Sequence, residues 1–178
     1  MTARGPIARW LAEDHARLDG LLAQATATPG ALARPPFDAF RAGLLRHIGI
    51  EEKILLRAAR EARGGEPLPT FRRLRVDHGA LAALLVPTPD AALVAEIRSI
   101  LEPHNALEED AGGVYEVCDA LLADRAAELV ERMRAYPPVR VAPYADGPRV
   151  VRRAEDALRV SAMQRSGSPG DRVTPGQR

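Results

Sequence analysis

Residues 40–58 read FRAGLLRHIGIEEKILLRA. Phe40, Leu44, His47, Glu51, Leu55 and Ala58 recur at steps of three and four, so on a helix they form one continuous inner face. Within that apolar face stand a histidine and a glutamate four residues apart, close enough to present two ligands to one point. Burying such a pair is costly unless something inside neutralises it. The stretch therefore predicts a bundle helix with a polar interior.

The pattern is repeated. His-x-x-x-Glu-Glu occurs as HIGIEE at 47–52 and as HNALEE at 104–109. Between and before these lies a second pattern, DHARLDGLL at 14–22 and DHGALAALL at 77–85. The two alternate along the chain and use all four of its histidines. His15 and His78 sit among leucines at helical spacing, which points them inward. Four helices that each offer a histidine to a common interior are how a bundle builds a metal site. The fold class is all-α, an up-down four-helix bundle with an extra C-terminal helix and a largely disordered tail.

Composition agrees. Hydrophobic residues make up 46% of the 178 residues and aromatics only 4%, so Ala, Leu, Ile and Val must fill the core. Alanine and leucine are the strongest helix formers. The net charge of +1 is unevenly spread: residues 137–178 carry 8 basic and 4 acidic side chains, leaving a mildly acidic body. That body, the lack of a helix-turn-helix pattern and the scattered arginines of the tail argue against nucleic acid as a partner. Cys118 is alone, which excludes a disulfide framework and a thiolate cluster and reads as a buried thiol. No stretch has the length and apolarity of a membrane span, and Arg4, Arg9, Glu13 and Asp14 interrupt any leader-like run. The expectation is a soluble, cytoplasmic protein.

Helices are predicted at about 6–27, 37–63, 70–86 (Thr70 as N-cap) and from Thr88-Pro89 past Glu108, with a terminal helix at about 124–136. Thr28–Pro36 and Gly64–Pro69 read as loops. Pro103 falls inside the fourth helix, and Gly112-Gly113 weakens the chain one turn past Glu108. Residues 1–136 form the bundle. Residues 137–178 form a Pro-, Gly- and Arg-rich tail, mostly disordered. Its one apolar island, Val150–Met163, reads as transient helix or as a short amphipathic helix that docks on the body, a protein partner or a membrane surface.

Imidazole with carboxylate suits iron, manganese or zinc. Six such ligands exceed what one catalytic zinc uses but fit two metals. His15 and His47 would hold one and His78 and His104 the other, with Glu51 and Glu108 bridging both and an oxo or hydroxo bridge completing each to five. At these motifs the chain resembles the hemerythrin-like family, in its histidine–histidine–glutamate cation-binding branch, over about residues 6–125. The resemblance implies a four-helix bundle, two non-haem iron ions and the binding of dioxygen or related small oxidants. By matching position it makes His15, His47, His78 and His104 terminal ligands and Glu51 and Glu108 bridges. The family's oxygen carriers have a fifth histidine one turn before the position of His78; here that residue is Leu74. A second iron with fewer ligands departs from reversible oxygen storage.

The accessory residues follow from helical direction. Glu52 and Glu109 project about 100° from the bridging glutamates, and Asp14 and Asp77 likewise from their histidines. These four are expected in solvated or salt-bridged positions. Tyr115 reads as core or as a hydrogen-bond donor behind the ligands; Phe40, Leu44, Phe71 and Leu74 read as core walls. Three functions compete. The first is a metal-binding protein that binds or senses dioxygen, nitric oxide, peroxide or iron. The second is a di-iron redox enzyme, catalase-like or an oxidase. The third is a metal-free helical module whose tail engages a protein partner.

Overall fold

A computed structural model describes residues 4–166 of the chain, and all its regular elements are helical. The bundle is built from α1 (Pro6–Ala25), α2 (Arg34–Ile50) continued through a π-helical turn (Glu51–Leu55) into α3 (Leu56–Ala62), α4 (Phe71–Leu84) and α5 (Ala91–Glu109). Then come α6 (Val114–Leu121), a 3₁₀ turn (Ala123–Arg125), α7 (Ala126–Arg134) and α8 (Ala154–Ser166). Helix α1 packs on α2, α5, α6 and α7, while α4 packs on α5 and α8. The architecture is the expected up-down bundle, with α6 and α7 closing one end.

Two boundaries differ from the sequence reading. Helix α2 begins at Arg34, inside the predicted loop, because Pro35 and Pro36 occupy the first turn, where the missing N–H has no helical partner to lose. Helix α5 is capped not by Thr88 but by Asp90, whose carboxylate accepts the N–H of Leu93 at 2.8 Å. Thr88 instead gives its N–H and hydroxyl to Asp146. The π-helical turn, starting at Glu51, was not foreseen; such turns are frequent at functional sites.

The apolar interior is split in two. One half gathers Ile7, Leu11, Leu55, Leu74, Cys118 and Leu129; the other gathers Leu22, Phe37, Phe40, Leu81, Leu84 and Ile97. Each main helix passes from one half to the other at its histidine. Leu11 and Leu18 flank His15 on α1, Leu44 and Ile50 flank His47 on α2, and Leu74 and Leu81 flank His78 on α4. A single polar layer thus crosses the middle of the bundle, sealed by hydrocarbon on both sides. No helix among the described residues is long and apolar enough to cross a membrane.

Residues 137–153 have no regular secondary structure, in keeping with their composition, yet they are tied to the bundle. Buried Arg41 donates Nε–H to the Leu85 carbonyl at 2.6 Å and Nη1 to the Ala142 carbonyl at 2.9 Å. Its guanidinium lies 4.0 Å from the centre of the Tyr144 ring, whose hydroxyl donates to Asp38. Of the two readings of the 150–163 island, the docked helix is found, shifted to Ala154–Ser166 as α8, and it packs on the body through α4 and α5. It approaches so closely that a Cβ at Gly79 would meet Ser161 Oγ. The remainder of the predicted tail, residues 167–178, lies outside the described residues.

Candidate metal centre

Helical spacing carries all six predicted ligands into the polar layer. His15 comes from α1, His47 from α2, Glu51 from the π-helical turn, His78 from α4, and His104 with Glu108 from α5. Each is at most 5% exposed. Their donor atoms form two groups, His15–His47–Glu51–Glu108 and Glu51–His78–His104–Glu108, and within each group the atoms lie within 4.8 Å of one another. The two glutamates belong to both. Glu51 turns Oε1 to His47 Nε2 (3.4 Å) and Oε2 to His78 Nε2 (3.1 Å). Glu108 turns Oε2 to His15 Nε2 (3.6 Å) and Oε1 to His104 Nε2 (3.4 Å).

Every imidazole is held from behind by a carboxylate on another helix. His15 donates Nδ1–H to Glu109 Oε1 (2.7 Å), His47 to Asp14 Oδ2 (2.8 Å), His78 to Glu52 Oε1 (3.2 Å) and His104 to Asp77 Oδ2 (3.4 Å). A carboxylate only accepts, so in the neutral imidazole this arrangement leaves each Nε2 lone pair aimed at the centre. The carboxylates are in turn held by arginines: Asp14 by Arg17 (2.7 Å), Asp77 by Arg73 (2.9 Å), Glu109 by Arg4 (3.2 Å) and, more loosely, Glu52 by Arg75 (3.9 Å).

This corrects the sequence expectation for Asp14, Glu52, Asp77 and Glu109. They do point away from their own helix's inner face, but toward a neighbouring helix rather than into water. Asp77 is only 1% exposed. The signal was present in the duplicated pattern: each acidic residue adjoins one ligand and orients the ligand of the next helix. The expected salt-bridged role is also real, on the outer side.

Tyr115 enters from α6, past the break at Gly112, whose φ of +76° suits glycine. Its buried hydroxyl donates to Glu51 Oε1 at 2.6 Å and stands 3.0 Å from Glu108 Oε2. Cys118, also buried, is pushed up to about 12 by burial and then by nearby carboxylates, so it is an inert thiol.

The electrostatics of the layer follow from its burial and its paired charges. Burial pulls His47 down, but Glu51 and Asp14 outweigh it and hold the imidazole up at about 9. Burial likewise opposes Glu51's charge, yet His47 and His78 hold its carboxyl well below the usual range. Glu108 is driven well above that range by burial and by the charge of Glu51. Two adjacent buried carboxylates cannot both ionise without a cation, which is what a metal would supply. Glu51 Oε2 and His78 Nε2 are buried without a hydrogen-bond partner although they face each other. Imidazole nitrogens with carboxylate oxygens are a donor set for a first-row transition metal. The residues present fit such ions.

The model of the hemerythrin HHE cation binding domain matches residues 7–112. The chain belongs to that family. Comparisons with curated proteins and with solved structures returned no match. All six candidate ligands of this hemerythrin-like domain, and the four carboxylates behind the histidines, lie inside the matched span. Tyr115 lies just beyond it. A surface groove of about 540 Å³ between the loop at Leu68–Thr70, α5 and α6 contains none of the six candidate ligands. The centre is closed, and its chemistry is not marked by an open cleft.

Proposed function

We propose that this hemerythrin-like chain is a non-haem di-iron protein that binds or senses dioxygen, nitric oxide, peroxide or iron itself. The observation that carries the reading is the sharing of Glu51 and Glu108, each with one oxygen toward either histidine pair. His15 and His47 would hold one ion and His78 and His104 the other, with both glutamates common to the two. When bound, two irons supply one-electron redox chemistry and coordination positions open to a small ligand. The chain's own part is to fix the imidazoles through Asp14, Glu52, Asp77 and Glu109, and to neutralise the ions with two buried carboxylates. Leu11, Leu44, Leu74 and Leu81 wall the layer with hydrocarbon and so exclude bulk water.

Peroxide turnover is the second reading. It is favoured by Leu74, which stands one turn before His78 and offers no donor atom. Metal analysis of aerobically purified protein with a peroxide time course tests both. About two irons per chain with saturable ligand binding and no sustained peroxide consumption supports the binding role. Sustained consumption that Glu51→Ala abolishes supports the enzyme. Absence of iron, with no thermal stabilisation by ferrous ion added anaerobically, removes both and leaves a helical interaction module.

A further inference from the structure

The two halves of the polar layer are not equivalent. Tyr115 Oη lies 2.6 Å from Glu51 Oε1, 3.0 Å from Glu108 Oε2, 3.3 Å from His15 Nε2 and 3.4 Å from His47 Nε2. These are one donor atom from every member of the His15–His47–Glu51–Glu108 group. With each Nδ1–H committed to a carboxylate, loss of the remaining protons leaves the two Nε2 atoms and the glutamate oxygens with lone pairs for a metal. Phenol has one proton, so it can satisfy only one of these four neighbours as a donor. In the deprotonated state that metal binding requires, five lone-pair-bearing atoms converge on the phenol proton of Tyr115, which is 1% exposed, an arrangement that a cation completes. Among the described residues the His78–His104 half has no counterpart: the residue one turn before His78 is buried Leu74.

We propose that Tyr115 is a seventh protein ligand, binding through its phenolate oxygen the metal held by His15 and His47, so that exogenous ligands add at the His78–His104 position. This rests on the metal-binding reading above. On ferric loading the phenol O–H bond breaks, its proton leaves to solvent, and the oxygen lone pair forms the metal bond, with no change in oxidation state. Tyr115 lies outside the span that matches the family model, so the feature belongs to this chain's continuation beyond the four bundle helices.

The test loads the full chain with ferric ion and records visible absorption and resonance Raman spectra. Wild type should show a phenolate-to-iron(III) charge-transfer band with enhanced tyrosine ring vibrations. Both should be absent from Tyr115→Phe and retained when Tyr136 and Tyr144 are changed to Phe. Azide added to the loaded protein should contribute its own band while the phenolate vibrations persist. Iron-loaded wild type without phenolate vibrations overturns the proposal and leaves the metal-binding reading intact, and this needs no variant to fold. Loss of those vibrations on adding azide overturns the assignment of the open position. Failure of wild type to bind any iron overturns both readings together.

Discussion

At the scale of single residues, the centre depends on side chains that never reach its middle. Asp14 fixes His47 by accepting its Nδ1–H and is itself anchored by Arg17. Asp14→Asn keeps the shape but removes the charge, and is expected to weaken metal binding about 10–100-fold. Competition against a chromophoric chelator measures this; unchanged affinity would show that packing alone orients the ring. Protonation gives a second handle. His47 sits at about 9 against an ordinary 6.5, so its contribution to the metal-free fold is complete below pH 6.5 and disappears as the pH rises through about 9. His78 and Glu108 are also raised and act in the same direction. A metal ligand must be deprotonated, so metal binding strengthens over the same interval. The gap in Tm between iron-loaded and metal-free protein should therefore widen from pH 6.5 to 9, and a gap that narrows would contradict this account.

At the scale of elements, two of the contacts between the C-terminal segment and the bundle carry predictions. Gly79 lets α8 lie against α4. An alanine there meets the Ser161 hydroxyl and Cβ and the end of the Arg165 side chain, which must give way, and it gains about 1 kcal/mol of helix propensity, so Gly79→Ala should be close to neutral. Gly79→Leu cannot be accommodated that way and should cost about 1–3 kcal/mol while speeding amide exchange across 154–166. Equal exchange in both variants would mean that α8 is not seated on this glycine. Arg41 is the other tie. Removing it leaves the Leu85 and Ala142 carbonyls without their charged donor, so Arg41→Ala should cost on the order of 3 kcal/mol and release residues 142–146 to exchange. The helices themselves were legible because period and punctuation are local. The start of α2 was missed because proline reads as a breaker, although it is well suited to a first turn. The π-helical turn carries no pattern that helical period would reveal.

At the scale of the whole molecule, a polar layer divides two apolar halves, and metal binding should stabilise the assembly as a unit. Ligand at about 100 times its Kd adds about 2.7 kcal/mol, so iron should raise Tm in proportion to its affinity. The sequence by itself determined the bundle, the six buried candidate ligands and the family, because side chains four apart on one helix share a face whatever surrounds them. Tertiary structure alone decided which carboxylate meets which imidazole. Asp14 and His47 are 33 residues apart, and Glu109 and His15 are 94 apart. Helical period says that these acids leave their own inner face, but only the packing of a second helix turns that direction from solvent into a partner. The same holds for Tyr115, whose place among the ligands depends on the bend at Gly112, and for α8, whose apolar face became a contact only once α4 and α5 were there to receive it.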